Sequence, residues 1–202
     1  MQFNYIINKF NTTNSFITQP FKQINFLDGG SWLFQKHSKS FILDVNYTRR
    51  IAKISALTIT NGRAAQSDIK YSASSINLGA GLNGDVDPLN YALGYDFDFG
   101  INKISERYEY LENLEKAKFE TIQSPLILGG SIWANITYSP KNARWFALMF
   151  RPYYHFDFNK TNYWEVNEIL NPDTYEADGL KMYSNHNHYG FQIMFVLKLI
   201  VD

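Results

Sequence analysis

The chain has no cysteine among its 202 residues, which excludes disulfide bonds, thiolate metal sites and cysteine nucleophiles. It also lacks an excess of charge of either sign, since 19 Lys and Arg residues balance 19 Asp and Glu residues. Without a basic surplus to hold a phosphate backbone, we expect no nucleic-acid partner. No change in composition and no Pro- or Ser-rich linker divides the sequence. We therefore expect residues 1–202 to form a single domain.

Long apolar runs are missing as well. No stretch approaches the roughly 20 consecutive apolar residues that a transmembrane helix requires. The first residues, Met1 to Tyr5, lack the basic-then-apolar pattern of a signal peptide. An exported protein needs such a signal. If the protein is exported, we therefore expect this chain to be a mature or re-started form. Aromatic residues are abundant at 17%, as in membrane-interface belts and large β cores.

An alternation of apolar and polar residues runs through much of the chain. In residues 144–158 the even positions include Phe146, Leu148 and Phe150, whereas the odd positions include Arg151 and His155. Such a period of two indicates β-strands with one apolar face. The predicted strands are residues 2–9, 41–48, 52–60, 71–82, 89–101, 126–138, 144–158 and 189–201.

The length of the best strands separates two classes of protein. Four of them have 13 to 15 residues, whereas strands of soluble proteins have about 5 or 6 and a tilted membrane strand needs roughly 9–11. Unpaired backbone groups in hydrocarbon are costly, so strands that face lipid must close into a barrel. The sequence therefore predicts an all-β, eight-stranded antiparallel up-and-down transmembrane β-barrel.

The connections between the predicted strands give the barrel a direction. Those at residues 49–51, 83–88 and 139–143 are short, whereas those at residues 10–40, 61–70, 102–125 and 159–188 are longer. Outer-membrane barrels have short periplasmic turns and long outer loops, so this pattern places both termini in the periplasm. Trp32 and Phe34 indicate a short extra strand in the first loop.

The polar faces of the predicted strands would fill the interior. Eight strands leave only enough room for side chains, so we expect a polar core and no open pore. Gly79, Gly81 and Gly94 would make space for the larger members. The charged residues expected there are Asp44, Asp96, Asp98, Arg151, Asp157 and Lys198.

In this pattern of strands, turns and loops the sequence resembles the small OmpA/OmpX-like eight-stranded outer-membrane proteins. Its Asn- and Tyr-rich style is similar to barrels of the Bacteroidota. The resemblance covers nearly the whole chain and implies the cell outer membrane of a Gram-negative bacterium. It also implies outer-membrane lipid as a partner, with other outer-membrane proteins as further candidates. It transfers no functional residue, and the last strand departs from the usual aromatic final residue by ending in Asp202.

One group of residues forms a candidate site. If the last two strands pair, parity places His155, Asp157, His186 and His188 inward at the outer rim, with Ser184 close by. Imidazoles with a carboxylate could ligate a divalent metal, or His with Asp could activate a serine for acyl transfer on lipid. The alternative interpretation is a polar, hydrated loop base.

Three functions remain open. The first is a non-enzymatic outer-membrane barrel with a structural or accessory role, whose outer loops contact a partner or membrane complex, and it requires no cofactor. The second is a lipid-modifying outer-membrane hydrolase built on His155, Asp157, His188 and Ser184. The third is a soluble calycin-like barrel for a small ligand, in which the apolar strand faces would point inward and the aspartates outward.

Overall fold

Antiparallel strands make up most of the computed structural model. It describes residues 2–13, 17–24, 27–60, 62–112, 117–141, 145–170, 183–184 and 187–197. The strands are β1 Ile17–Gln19, β2 Asp28–His37, β3 Phe41–Thr60, β4 Arg63–Val86, β5 Leu89–Tyr110, β6 Glu120–Gln123, β7 Leu126–Tyr138, β8 Phe146–Asp157, β9 Thr161–Asn162, β10 Tyr183–Ser184 and β11 His188–Leu197. The helices are α1 Gln2–Thr13 and α2 Trp164–Leu170, and neither is long and apolar enough to cross a bilayer.

The main sheet has an up-and-down topology. Its order is β2-β3-β4-β5-β7-β8-β11, and every neighbouring pair is antiparallel. Short strands add to it, since β1 pairs with β3 and β6 pairs with β5, whereas β9 and β10 pair separately. The predicted all-β antiparallel up-and-down sheet is confirmed. The sheet curls strongly, as the contact between the guanidinium of Arg151 on β8 and the carboxylate of Asp44 on β3 shows.

The strands have polar inner faces and apolar outer faces over the half of the sheet that ends at the β4–β5 turn. We call this the lower half. Asp44, Asn77 and Asp96 point inward and are buried, whereas their strand neighbours Leu78 and Phe97 point outward and are half exposed. The exposed outward side chains form an apolar band: Leu43, Val45, Tyr47, Ile76, Leu78, Leu93, Phe97, Phe99, Ile101, Leu128, Ile132, Ile136, Leu148, Phe150, Tyr154, Phe191, Ile193 and Phe195.

The polarity of the two faces inverts where β3, β4 and β5 continue beyond the apolar band, in what we call the upper half. The same alternate positions of each strand still point outward there, but they now carry polar residues such as Arg49, Ser72 and Lys103. The positions that point inward carry buried apolar residues such as Ile54 and Ile69. A single strand therefore presents opposite chemistry to its surroundings at its two ends.

The upper half has an ordinary apolar core. Both helices pack on the inner face of the long strands, and their buried side chains form one cluster with those of β3, β4 and β5. The members of the cluster are Ile6, Ile7, Phe21, Ile24, Ile54, Ala56, Ile69, Tyr71, Ala73, Ile104, Tyr163, Val166 and Leu170. This core covers the upper end of the polar interior.

Several predicted boundaries are wrong for a common reason. The predicted turn at residues 49–51 lies inside β3, so the two predicted strands 41–48 and 52–60 are one strand of 20 residues. Likewise β4 begins at Arg63 and β5 continues to Tyr110, where loops were predicted. The predicted connection 83–88 also shortens, because β4 extends to Val86. The chain reverses between β3 and β4 at Gly62, whose φ of 74° is in the left-handed region that glycine adopts readily.

The predicted first strand, residues 2–9, is wrong because this segment is helical. Ile6, Ile7 and Phe10 lie on one face of α1 and pack into the upper core. Its place in the sheet is taken by β2, which is longer than the short strand expected at Trp32 and Phe34. The main path therefore contains seven long strands within the described residues. Helix α1 lies at the upper end of the sheet, whereas β11 runs downward to Leu197. The prediction that the first and last segments lie on the same side of the barrel is therefore also wrong.

Candidate functional site

A network of buried charges crosses the polar interior. The guanidinium of Arg151 on β8 donates from Nη1 to Asp44 Oδ2 at 2.9 Å and from Nη2 to Asp96 Oδ2 at 2.8 Å. Arg151 is only 1% exposed, so both carboxylates are needed to offset the loss of its hydration. This network links three strands, β3, β5 and β8, through one side chain.

The ring of Trp133 forms the floor beneath this network. Arg151 stacks on it with its guanidinium carbon 4.1 Å from the ring centroid, which is close enough for a cation–π interaction. The indole Nε1 donates to Asp96 Oδ1 at 2.5 Å. A buried tryptophan usually requires such a partner for its N–H group, and Asp96 provides it while also binding Arg151.

Glycines provide the space for these large side chains, as the sequence predicts. A Cβ atom at Gly79 would overlap the Asp96 carboxylate and lie 2.6 Å from Asp44 Oδ1. A Cβ atom at Gly94 would likewise overlap the Trp133 ring. Small residues on β4 and β5 are therefore required by the side chains that β3, β5 and β7 direct inward.

The predicted histidine cluster lies above this network. His155 Nδ1 lies 2.5 Å from Asp98 Oδ2, and His155 Nε2 lies 2.8 Å from Asp157 Oδ1. A carboxylate oxygen thus lies within hydrogen-bond distance of each ring nitrogen, an arrangement that suits the two N–H donors of an imidazolium ion. The ring of His188 lies beside that of His155, with the ring centroids 4.8 Å apart and the ring planes tilted by 36°.

Arg50 completes the cluster from the far side of the interior. Its Nη1 donates to Tyr153 Oη at 2.9 Å and contacts Nε2 of His188. Arg50 lies on β3 and His188 on β11, so this contact brings the opposite ends of the strand order together. The sequence did not identify Arg50, because it fell in the predicted turn at residues 49–51.

The structure brings together three of the predicted site residues, His155, Asp157 and His188. His186 lies outside the described residues, as does the side chain of Ser184, whose backbone pairs with Thr161. Asp98 and Ser131 join the group instead: Ser131 Oγ donates to Asp98 Oδ2 and lies 3.2 Å from His155 Nδ1. The sequence signals that could have identified Asp98 and Ser131 are their positions on the inward-facing side of the alternation and the pairing of β5 with β7.

The arrangement gives little support to acyl transfer. A serine nucleophile needs an imidazole nitrogen that can accept its proton, whereas both nitrogens of His155 face carboxylates. Ser131 also points into the interior and is only 6% exposed. Within the described part of the chain, no group of three or more His, Cys, Asp or Glu residues has an arrangement that could hold a metal ion. The predicted catalytic and metal roles therefore stay predictions.

Side chains fill most of the interior that the described residues enclose. A cavity of about 20 Å³ lies beside Asn46, Arg50 and Gln192, which is room for about one water molecule. A second, of about 10 Å³, lies lower down beside Asn83 and Asn135. Neither is wide enough to admit a solute.

No protein-family model matches the chain, and searches of curated proteins and of solved structures found no significant match.

Proposed function

We propose that the chain forms a β-barrel wall in the bacterial outer membrane, with a filled and charged interior that does not conduct solutes. Its role is structural or accessory and non-enzymatic, and the segments above the apolar band contact a partner or a membrane complex. The observation that carries this proposal is the inversion of polarity along β3, β4 and β5. A soluble barrel would require apolar side chains inside along the whole strand.

The height of the apolar band agrees with the thickness of a bilayer. On β5 the outward apolar residues run from Leu89 to Ile101, which is 13 residues. At about 3.3 Å per residue and a tilt of about 45°, this segment spans roughly 28 Å. The apolar band of a membrane barrel is about 25 Å high. The outward residues become polar immediately above this height.

The size of the apolar band also favours lipid over water. Soluble monomers rarely expose contiguous apolar patches larger than about 300–600 Å². Here the exposed apolar side chains occur on β3, β4, β5, β7, β8 and β11, and they are continuous between neighbouring strands. The soluble calycin-like alternative would have the opposite arrangement.

Membrane fractionation tests the proposal directly. Expressed with a signal peptide, the protein should sediment with outer membranes, require detergent for extraction and migrate differently in gel electrophoresis before and after heating. Recovery in the aqueous fraction without detergent would overturn the proposal.

A pair of arginine substitutions on β4 tests the position of the apolar band. Leu78 and Ser72 both point outward, six residues apart, but only Leu78 lies in the band. We expect L78R to impair insertion, because a charge at mid-membrane destabilises a barrel by ~2–4 kcal/mol, whereas S72R should have an effect of ~0–1 kcal/mol. The fraction of each variant with heat-modifiable migration measures the difference.

The outcome of this pair separates membrane and soluble proteins. On a soluble protein both positions are ordinary surface sites, where substitutions change stability by less than about 0.5 kcal/mol. Equal yields of folded L78R and S72R would therefore argue against a lipid-facing band.

A further inference from the structure

Five basic side chains gather on the outer face of β3, β4 and β5 just above the apolar band. Four of them occupy three successive outward-facing rows of the strand register: Arg49 pairs with Ser74, Lys103 pairs with Ser72, and Lys53 pairs with Lys70. The fifth, Arg107, pairs with Asp68 one row higher. We call this surface the basic rim: Arg49, Lys53, Lys70, Lys103 and Arg107.

Asp68 neutralises only the upper part of the basic rim. Its buried carboxylate contacts Arg107 and lies 3.1 Å from Lys53 Nζ. Burial raises the pKa of Asp68, but hydrogen bonds from Ser55, Gln66, Arg107 and Lys53 outweigh it and hold the pKa at about 2. Asp68 is thus fully ionised near neutral pH and is already committed to two cations.

The lower part of the basic rim retains its positive charge. Arg49 and Lys103 are exposed and Lys70 is partly exposed. Among the described residues, no carboxylate lies within salt-bridge distance of these three side chains. Three cations therefore face solvent next to the apolar band, with the hydroxyl groups of Ser72 and Ser74 between them.

An aromatic ring holds part of the basic rim in place. The ring of Phe119 lies 5.0 Å from Arg107, 5.7 Å from Lys70 and 5.8 Å from Lys53, measured from each charged group to the ring centroid. A cation within about 6 Å of a ring centroid is attracted to the face of the ring. Phe119 therefore stabilises the upper side of the basic rim.

We propose that the basic rim binds the phosphate group of a phosphorylated lipid in the outward-facing leaflet. The lipid's acyl chains would lie along the apolar band below, over Tyr47, Ile76 and Phe99. Arginine and lysine recognise phosphate through charge-assisted hydrogen bonds. The charge complementarity and the continuity with the apolar band identify a lipid as the occupant.

The opposite end of the apolar band offers a matched control. Lys36 and Lys39 are exposed there, and Lys141 lies 3.4 Å from Asp87. Among the described residues the control end has these three lysines, which lie on different strands and turns, and one of them is paired. The triple variants R49A/K70A/K103A and K36A/K39A/K141A therefore remove the same charge from the two ends.

The test measures lipid retention in detergent-purified protein that was first inserted into vesicles. The vesicles contain phosphatidylcholine with a minor share of phosphatidic acid, and native mass spectrometry quantifies the bound lipid. We expect wild type to enrich phosphatidic acid, and R49A/K70A/K103A to lose affinity on the order of 100-fold, since each basic residue near an anionic headgroup contributes about fivefold. K36A/K39A/K141A should match wild type.

Free phosphate separates the lipid from a simple anion site. Inorganic phosphate at millimolar concentration should leave the bound phosphatidic acid in place, because it lacks the contact with the apolar band. Displacement by free phosphate would overturn the assignment to a lipid. Equal enrichment by wild type and R49A/K70A/K103A would overturn the role of the basic rim. Displacement of the bound phosphatidic acid by an acidic peptide would overturn the assignment to a lipid.

This proposal rests on the proposed membrane location, and the experiment distinguishes the two failures. A wild-type protein that leaves the vesicles without detergent overturns both proposals. A wild-type protein that stays inserted but shows no preference for phosphatidic acid overturns only the lipid assignment. Because the three substituted side chains point outward, heat-modifiable migration should show that the variants still fold. The single variant K103A should bind less phosphatidic acid than wild type, whereas K103R, which keeps the charge, should bind as wild type does.

Discussion

Arg151 links three strands of the lower half through one buried side chain. It joins β8 to β3 and β5 and is 1% exposed. In R151M the carboxylates of Asp44 and Asp96 would remain buried without a cation. We expect a loss of about 3–5 kcal/mol in the free energy of unfolding, the usual result of removing one partner of a buried ion pair. Urea unfolding of the inserted protein measures it.

The triple variant D44N/D96N/R151M serves as the control for that substitution. It removes the cation together with both negative charges, and the amide that replaces the Asp96 carboxylate would still accept the hydrogen bond from Trp133. Since buried ion pairs can be replaced by neutral groups with little loss, it should be more stable than R151M. A triple variant as unstable as R151M would show that shape, not charge, accounts for the effect.

Much of this interior was predictable from parity alone. Asp44, Asp96, Asp98 and Arg151 were expected to point inward, and they are buried there. Aspartates were expected as the partners of Arg151, but which ones bind it was not predictable, because Arg151 and Asp44 lie on strands that are not neighbours in the sheet. Contacts across an interior depend on how the sheet curls, which a strand's own sequence does not contain. Lys198 lies outside the described residues.

At the scale of the element, one physical cause explains the wrong strand ends. A strand whose two faces each keep the same surroundings has an apolar residue at every second position. The predictions ended each strand where this alternation stopped. In β3 the alternation stops at Arg49, because the outward face leaves the apolar band while the backbone pairing with β4 continues. The interrupted pattern therefore marked a change of surroundings, not a turn.

The upper half of the sheet is joined by Asp68. Its carboxylate on β4 accepts hydrogen bonds from Ser55 on β3 and Arg107 on β5, and its pKa falls from 3.8 to about 2 because these bonds outweigh the effect of burial. A pKa lowered by folding contributes stability that is complete above the unfolded value and is lost as pH falls through the folded value. The upper ends of β3, β4 and β5 should therefore loosen between about pH 4 and pH 2.

Hydrogen exchange of the backbone amides near Asp68 measures this loosening at pH 5 and at pH 2. In D68N the exchange should be faster at pH 5 than in wild type, and the additional loss at pH 2 should be smaller. E112Q is the matched control, because Glu112 binds Arg63 in an exposed ion pair at the same end of the strands. Exposed pairs contribute little, so a pH response altered equally in E112Q would contradict the role of Asp68.

At the scale of the whole molecule, the two edge strands determine whether the sheet can close into a ring. With seven antiparallel strands in the path, β2 and β11 run in the same direction, and within the described residues neither has a second long neighbour. The contacts of Arg50 with His188 and of Arg151 with Asp44 connect the two sides across the interior. Either direct parallel pairing or one additional antiparallel strand would complete the ring.

The proposed membrane location requires this closure, because each unpaired backbone group in hydrocarbon costs several kcal/mol. Exchange of the edge amides in the inserted protein tests it. We expect the amides of β2 and β11 that point away from β3 and β8 to exchange as slowly as those of β4, which is paired on both sides. Fast exchange along either edge would show an open sheet, and an open sheet with an apolar band could not be stable in lipid without a partner at that edge.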